Sequence, residues 1–317
     1  MSVRKQILAG LVSAATVAGW TSAALAQPGT PPANIVATVN GSPITMAEVE
    51  LVLKKAGPKA TAPTEAQRKE MQQEALTMLI DDQLMRDFLR KKGPTVDLEE
   101  VNKQVAELAE SLKKEKKTLA DYLKEQNQTE AQLRNDINGW LQWNAFVKQQ
   151  VTEADLKHYY DESKEFFDRV VVRASHIVLR ISPEAPAAER EAIKAKLQTW
   201  RKDIVEGKVD FAKAAKDHSQ CTSAPNGGDI GFFPRKLAVE EPFAKAAFAL
   251  KVGDISDVVQ TDFGYHLIKV TERKAGTPSD FTKIKDEVRE LLVEELRVQI
   301  LAEQRKTAKV DVNLSHP

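Results

Sequence analysis

The spacing of apolar residues changes at Arg169, and that change constrains the fold more than any other feature of the chain. Ahead of it, Met71, Ala75, Met78, Leu79, Met85 and Phe88 recur at helical spacing. The same holds for Val101, Val105, Leu108 and Leu112, and again for Leu133, Ile137, Trp140, Leu141 and Val147. Behind it, Val170 to Leu179 is β-branched and alternating, which is the pattern of a strand. With 317 residues, the chain has room for one domain of each kind.

The helical half opens on Ile35 to Val39, a turn at Asn40-Gly41, and Ser42-Pro43-Ile44, which together read as two short strands. Thr45 with Glu48, Thr64 with Gln67 and Thr129 with Gln132 are capping boxes that mark helix starts, and Thr152 with Asp155 resembles another. Lys91-Lys92-Gly93-Pro94 stops a helix with cations, a glycine and a proline. The charge run Lys113 to Lys117 reads as a solvated helix face rather than a nucleic-acid patch. Apart from its first hairpin, this half is expected to be all helix.

After Arg169 the expected order is strand, two or three helices, strand, helix and hairpin. Ala187 to Ile204 and Asp210 to Asp217 are helical, Asp229 to Phe233 is a strand, and Glu241 to Leu250 is a helix. Ile255 to Gln260 and Tyr265 to Glu272 form the closing pair of strands. That is an α+β domain on a small, mainly antiparallel sheet. Beyond it, Phe281, Ile284, Val288, Leu291, Leu292, Leu296 and Ile300 make an apolar stripe that has to be buried. We expect this helix to return to the N-terminal helical domain, so that the α+β domain is inserted. The expected division is 27–168 helical, 169–274 α+β, and 275–317 C-terminal helix and tail. No internal repeat is seen.

Charge gives no partner away. Lys+Arg and Asp+Glu each number 46 and only 6% of residues are aromatic, so neither nucleic acid nor an anionic membrane is drawn in. Residues 1–26 follow their own pattern: Arg4 and Lys5, an apolar run from Ile7 to Trp20, then Ala24-Leu25-Ala26 before Gln27. That is a secretory signal peptide. The run is shorter than the roughly 20 residues a span requires. Once it is cleaved, the chain is expected to be soluble in the periplasm or another extracytoplasmic compartment, with no integral membrane segment. Cys221 is the only cysteine, so no intrachain disulfide can form. A lone thiol in an oxidising compartment invites a functional reading.

Five blocks carry a resemblance. Arg173-Ala174-Ser175-His176-Ile177-Val178-Leu179 resembles the first strand of parvulin-type peptidyl-prolyl isomerases. His218-Ser219-Gln220-Cys221-Thr222-Ser223 with Gly227-Gly228-Asp229-Ile230-Gly231-Phe232-Phe233 resembles their central segment. Phe243 to Leu250, Gly253-Asp254-Ile255-Ser256 and Thr261-Asp262-Phe263-Gly264-Tyr265-His266-Leu267-Ile268 complete the pattern. Val36 to Thr45, followed by helices, resembles the N-terminal module of SurA- and PrsA-type extracytoplasmic foldases. The implied function is cis/trans isomerisation of X-Pro bonds in unfolded or partly folded exported polypeptides, with no cofactor or metal. The other reading is a chaperone that binds such chains with little or no isomerase activity.

The barrier to turning an X-Pro bond is about 18–20 kcal/mol, because the amide loses conjugation as it twists. Lowering it needs an apolar grip on the proline, a dehydrated amide and preference for the twisted state. The resemblance implies that His176 and His266 pair at the floor of the site and fix each other's tautomers. It places Cys221 beside the substrate carbonyl, Ile230 and Phe243 on the walls of the proline pocket, and Thr261 at the edge of the histidine network. Val239 falls on the remaining wall position, although a loop one residue longer gives that role to Leu237. Phe263 stands where some relatives have Ser. Phe248 reads as core, and His158 and His218 as surface. A Cys221/His266 thiol hydrolase is disfavoured, because no helix start follows Cys221 to lower its pKa. No close His/Cys/Asp spacing points to a metal site.

Overall fold

Two separately packed units contain the described residues, which are 34–56, 63–126, 128–182 and 184–313 of a computed structural model. One unit comprises residues up to 153 together with those from 290 onward, and the other comprises 154–289. The signal peptide and the linker after it lie outside the described residues.

In the first unit, β1 (Ile35–Val39) and β2 (Ser42–Thr45) form a hairpin through Asn40 and Gly41. Both turn residues have positive φ, 50° and 85°, as a tight two-residue hairpin demands. Thr45 caps α1 (Met46–Lys55) in a reciprocal capping box with Glu48. Then come α2 (Glu65–Lys92), α3 (Leu98–Lys113), α4 (Leu119–Glu125) and α5 (Glu130–Gln150). Gly93 ends α2 by donating its N–H to the Leu89 carbonyl, 2.7 Å. One core joins the hairpin to α1 and α2 through Val36, Val39, Val49 and Leu79, and takes in Leu301. A second joins α3 and α5 through Val101, Val105, Leu108, Leu133 and Ile137.

The hairpin is not the only sheet structure in this unit. β7 (Val310–Val312) pairs antiparallel with β1, Val39 opposite Val310 and Ala37 opposite Val312, which gives the order β2-β1-β7. Asn40 secures it: its N–H donates to the Lys309 carbonyl at 2.8 Å, and its Oδ1 accepts the Lys309 N–H at 3.0 Å. Three residues carry no usable period, which is why the strand escapes a sequence reading.

In the second unit, α6 (Glu153–Glu162) and α7 (Lys164–Phe167) precede β3 (Val171–Leu179). There follow α8 (Ala187–Val205), α9 (Phe211–His218), β4 (Asp229–Pro234), α10 (Glu241–Ala249), β5 (Val259–Thr261) and β6 (Gly264–Lys274). The last helix, α11 (Phe281–Thr307), begins in this unit, and its residues from 290 onward belong to the other. The sheet is antiparallel with order β4-β3-β6-β5. Alternation along β3 and β6 sends Ile177, Leu179, Tyr265 and Leu267 against α8 and α9. The opposite face sends Val172, Ala174, Ile268 and Val270 against α10.

The strand expected over Ile255 to Gln260 is shorter. Ile255 makes a single bridge to Lys269, and regular pairing resumes only at Val259. Ser256 explains the gap: its hydroxyl accepts the Ile268 N–H at 3.0 Å, where a strand carbonyl would otherwise stand.

Candidate active site

The face of the sheet under α10 carries both histidines. Val178 lies opposite His266 and His176 opposite Ile268, so the two imidazoles come from adjacent strands, offset by two residues. Their rings stack with centroids 5.4 Å apart and planes at 17°, and the Nδ1 atoms are 3.2 Å apart. Phe243, on α10, sets its ring nearly perpendicular to both, with centroids 5.6 Å away in each case. The next contact outward is Thr261, whose Oγ1 lies 2.8 Å from His266 Nε2 and also accepts the Phe263 N–H at 3.1 Å.

Burial dictates the charge of this pair. His176 is 8% exposed and His266 4%. Burial pushes the His176 pKa down to about 4, and burial followed by the neighbouring His176 pushes His266 down to about 4. Both rings are therefore neutral near pH 7, so one Nδ1 donates to the other. If Thr261 donates to His266 Nε2, then His266 donates to His176 and the His176 proton sits on Nε2. The reverse polarity satisfies the same contacts. In either case His176 Nε2 is a buried ring nitrogen with no protein partner.

Two glycines allow the strands to close on the site. Gly228 has φ +81°, and a Cβ there would stand 2.3 Å from the His176 carbonyl oxygen. Gly264 has φ +134°, and a Cβ there would stand 2.2 Å from the Leu179 carbonyl oxygen. Neither role can be read from spacing alone, although both glycines lie in the motif blocks.

The remaining residues singled out in the sequence fall into four groups. Ile230 and Val239 pack against the apolar cluster that contains Phe243, Phe233 and Phe248. Leu237 is 80% exposed with φ +72°, and Phe263 is 63% exposed on the β5–β6 turn. Cys221 is half-buried on the loop leading to β4. Burial raises the pKa of its thiol, but donors from Ser223 and Thr222 outweigh that and leave it lowered. His158 is exposed, and His218 is exposed but stacked on Trp200 with centroids 4.5 Å apart.

A cleft of about 490 Å³ opens on the opposite side of the sheet, lined by Lys194, Arg201, Lys202, Asp257, Gln260 and Tyr265. Tyr265 neighbours His266 and so points away from it, and two of the cleft's cations are already paired, Lys194 with Glu191 and Arg201 with Asp257. The histidine pair stands on the α10 face instead. Among the described residues no cluster of three or more His, Cys, Asp or Glu could hold a metal ion, and no helix is long and apolar enough to cross a membrane.

Comparison with known proteins finds relatives for both halves of the chain. Residues 176–272 match the rotamase family, described as the PPIC-type PPIASE domain, and residues 2–146 match the SurA-like N-terminal domain. The foldase protein PrsA of Geobacillus sp. (strain WCH70) is 35% identical over 240 residues, covering 74% of this chain and 79% of that protein. The peptidyl-prolyl cis-trans isomerase Pin1 of Arabidopsis thaliana is 43% identical over 113 residues, covering 32% of this chain and 94% of that one. A crystal structure of PrsA from Bacillus anthracis shares 31% identity, covers 72% of this chain and 96% of its own, and superposes with a TM-score of 0.41. The matched PPIase domain and a PrsA relative 35% identical over 74% of this chain settle the assignment: the chain belongs to the PrsA foldase family and carries a parvulin-type peptidyl-prolyl cis/trans isomerase domain.

Proposed function

We propose that this protein assists the folding of exported polypeptides by turning their X-Pro bonds without covalent chemistry, in a pocket built on His176, Cys221 and His266. The observation that carries the reading is the histidine pair: two buried, neutral rings locked by a 3.2 Å Nδ1–Nδ1 contact and capped by Phe243. Ile230, Val239 and Phe243 grip the prolyl ring, and Thr261 anchors the His266 imidazole through Nε2. The pocket keeps water from the amide, so the twisted amide is favoured over either planar form. Cys221 stands beside the substrate carbonyl and tunes the pocket as a hydrogen-bonding group rather than as a nucleophile.

The clients are unfolded or partly folded chains bearing X-Pro bonds, and nucleic acid is not among them. Residues 1–26 direct the chain out of the cytoplasm as a cleaved signal peptide, and the mature protein works in the periplasm or another extracytoplasmic compartment. Residues 169–274 are the catalytic domain, while 27–168 with 275–317 hold the client. The match to a SurA-like N-terminal domain favours a second reading, in which holding clients is the main work and isomerisation is slight.

Refolding of a client whose slow phase is limited by proline separates these readings. The full chain is expected to accelerate that phase catalytically, at concentrations well below the client's. A variant with Phe243→Leu should still suppress aggregation while losing the acceleration. Suppression of aggregation with no effect of the unaltered protein on the slow phase would leave only the holding function.

A further inference from the structure

The catalytic sheet runs out of partner strand partway along β3. β4 lies opposite Val171 to Ser175, and the last main-chain bond to the β4 segment joins the His176 N–H to the Gly228 carbonyl at 2.9 Å. Further along, the same edge of β3 presents the N–H and C=O of Val178 and the N–H of Arg180. Each is met by one of the two residues just ahead of Cys221. The Val178 N–H donates to Ser219 Oγ at 3.1 Å, the Gln220 N–H donates to the Val178 carbonyl at 2.9 Å, and the Arg180 N–H donates to Gln220 Oε1 at 2.6 Å. Two of these three acceptors are side chains, standing where a neighbouring strand would offer carbonyls.

Val178 is also the residue directly opposite His266 across the other edge of β3. The Cys221 loop and the His266 strand are thus referenced to one backbone position from its two sides. The far end of the loop is anchored too. The Ser219 N–H closes α9 on the Ala215 carbonyl at 2.9 Å, and His218 is stacked on Trp200 of α8.

We propose that Ser219 and Gln220 are positioning residues of the isomerase: their side chains replace the missing strand along β3 and so fix where Cys221 stands relative to the histidine pair. The proposal rests on Cys221 belonging to the site. Ser219→Ala leaves the N–H of buried Val178 without its acceptor and costs stability as well, but Gln220 and Arg180 are exposed, so loss of their bond releases backbone to water rather than stranding it in the core. For Gln220 the effect should therefore fall on loop placement more than on stability.

The test uses the full chain with Gln220→Leu, Gln220→Glu, Ser219→Ala, Ser219→Thr and Cys221→Ala. Two quantities are read: kcat and KM for a prolyl peptide, and the pH midpoint of Cys221 alkylation by iodoacetamide. The Leu and Ala variants at 220 and 219 are each expected to lower kcat/KM by about 3- to 10-fold, mostly in kcat, which is the worth of one hydrogen bond. They should also shift the alkylation midpoint, because the surroundings that lower the thiol's pKa move with the loop. Gln220→Glu and Ser219→Thr keep an oxygen acceptor and should restore both readouts. Unchanged kcat/KM and midpoint in Gln220→Leu and Ser219→Ala, with Cys221→Ala slow, would overturn the positioning role alone. A Cys221→Ala variant as fast as the unaltered protein would instead remove Cys221 from the site, and the proposal with it.

Discussion

His176 and His266 face each other across adjacent strands with 3.2 Å between their Nδ1 atoms, and neither ring has the solvation it needs to carry a charge at neutral pH. Both folded-state pKa values, about 4, lie below the unfolded value of 6.5. Between those limits the unfolded chain binds protons that the folded domain does not, so stability rises with pH from about 4 to 6.5 and is lost as pH falls. Isomerase activity is accordingly expected to stay flat through pH 6.5 and to fall only near pH 4–5. A rate profile with a midpoint near 6.5 would place a charged histidine in the active form.

Thr261 ties the pair to the β5–β6 turn, because its hydroxyl contacts His266 Nε2 and accepts the Phe263 N–H. Thr261→Val keeps the shape but strands a buried ring nitrogen, at a cost of about 1–3 kcal/mol. Thr261→Ser should recover most of that. Urea unfolding followed by Trp200 fluorescence, together with kcat/KM, checks both variants, and equal behaviour of Val and Ser would remove the hydroxyl from the network.

On the proposed reading of this position as a hydrogen-bonding group beside the carbonyl, Cys221→Asp is expected to keep much of the activity and Cys221→Ala to lose some of it. Complete loss in the Asp variant would assign the sulfur a different role.

Gly228→Ala should destabilise the catalytic domain by more than about 1 kcal/mol, because the new Cβ meets the His176 carbonyl and the backbone sits at positive φ. Since that carbonyl belongs to the residue bearing the first histidine, activity should fall further than stability does. A Gly228→Ala variant with unchanged unfolding midpoint would contradict the close approach.

These residues differ in how openly the sequence declares them. β3 is legible from the β-branched residues between Val170 and Leu179 and β6 from the turn signals ahead of it, and the capping boxes at Thr45, Thr64 and Thr129 are legible because two side chains three residues apart satisfy each other. The histidines are legible as a site only through the motif blocks around them. β7 is too short to show a period. The break at Ser256, and the side-chain bonds of Ser219 and Gln220 to β3, depend on which backbone groups a strand leaves uncovered, and only the paired sheet reveals that. Sequence left Leu237 and Val239 as alternatives; in the fold, Val239 packs on the Phe243 cluster while Leu237 points to solvent.

Asp82 is a further residue that spacing conceals, since a carboxylate within an amphipathic helix reads as surface. It is 3% exposed, Oδ2 has no hydrogen-bond partner, and Arg297 stands at 4.0 Å. Burial pushes its pKa up to about 7; Arg86 and Arg297 oppose that, and Asp81 and Asp136 add to it. The folded form holds a proton that the unfolded form releases near 4, so this unit should lose stability as pH rises from about 4 to 7. Hydrogen exchange of α2 amides is expected to show protection falling between pH 5 and pH 8 after correction for intrinsic rates, and Asp82→Asn should abolish the fall. An identical pH trend in the variant would locate the titration elsewhere.

The most direct measurement is the exchange rate between the cis and trans forms of a short X-Pro peptide, followed by NMR with the full chain at catalytic concentration. Uncatalysed exchange takes tens to hundreds of seconds. The expected result is an exchange rate that grows in proportion to protein concentration and collapses in Phe243→Leu with the fold intact. Exchange indistinguishable from the free peptide at every protein concentration would contradict catalysis by the His176–His266 pocket.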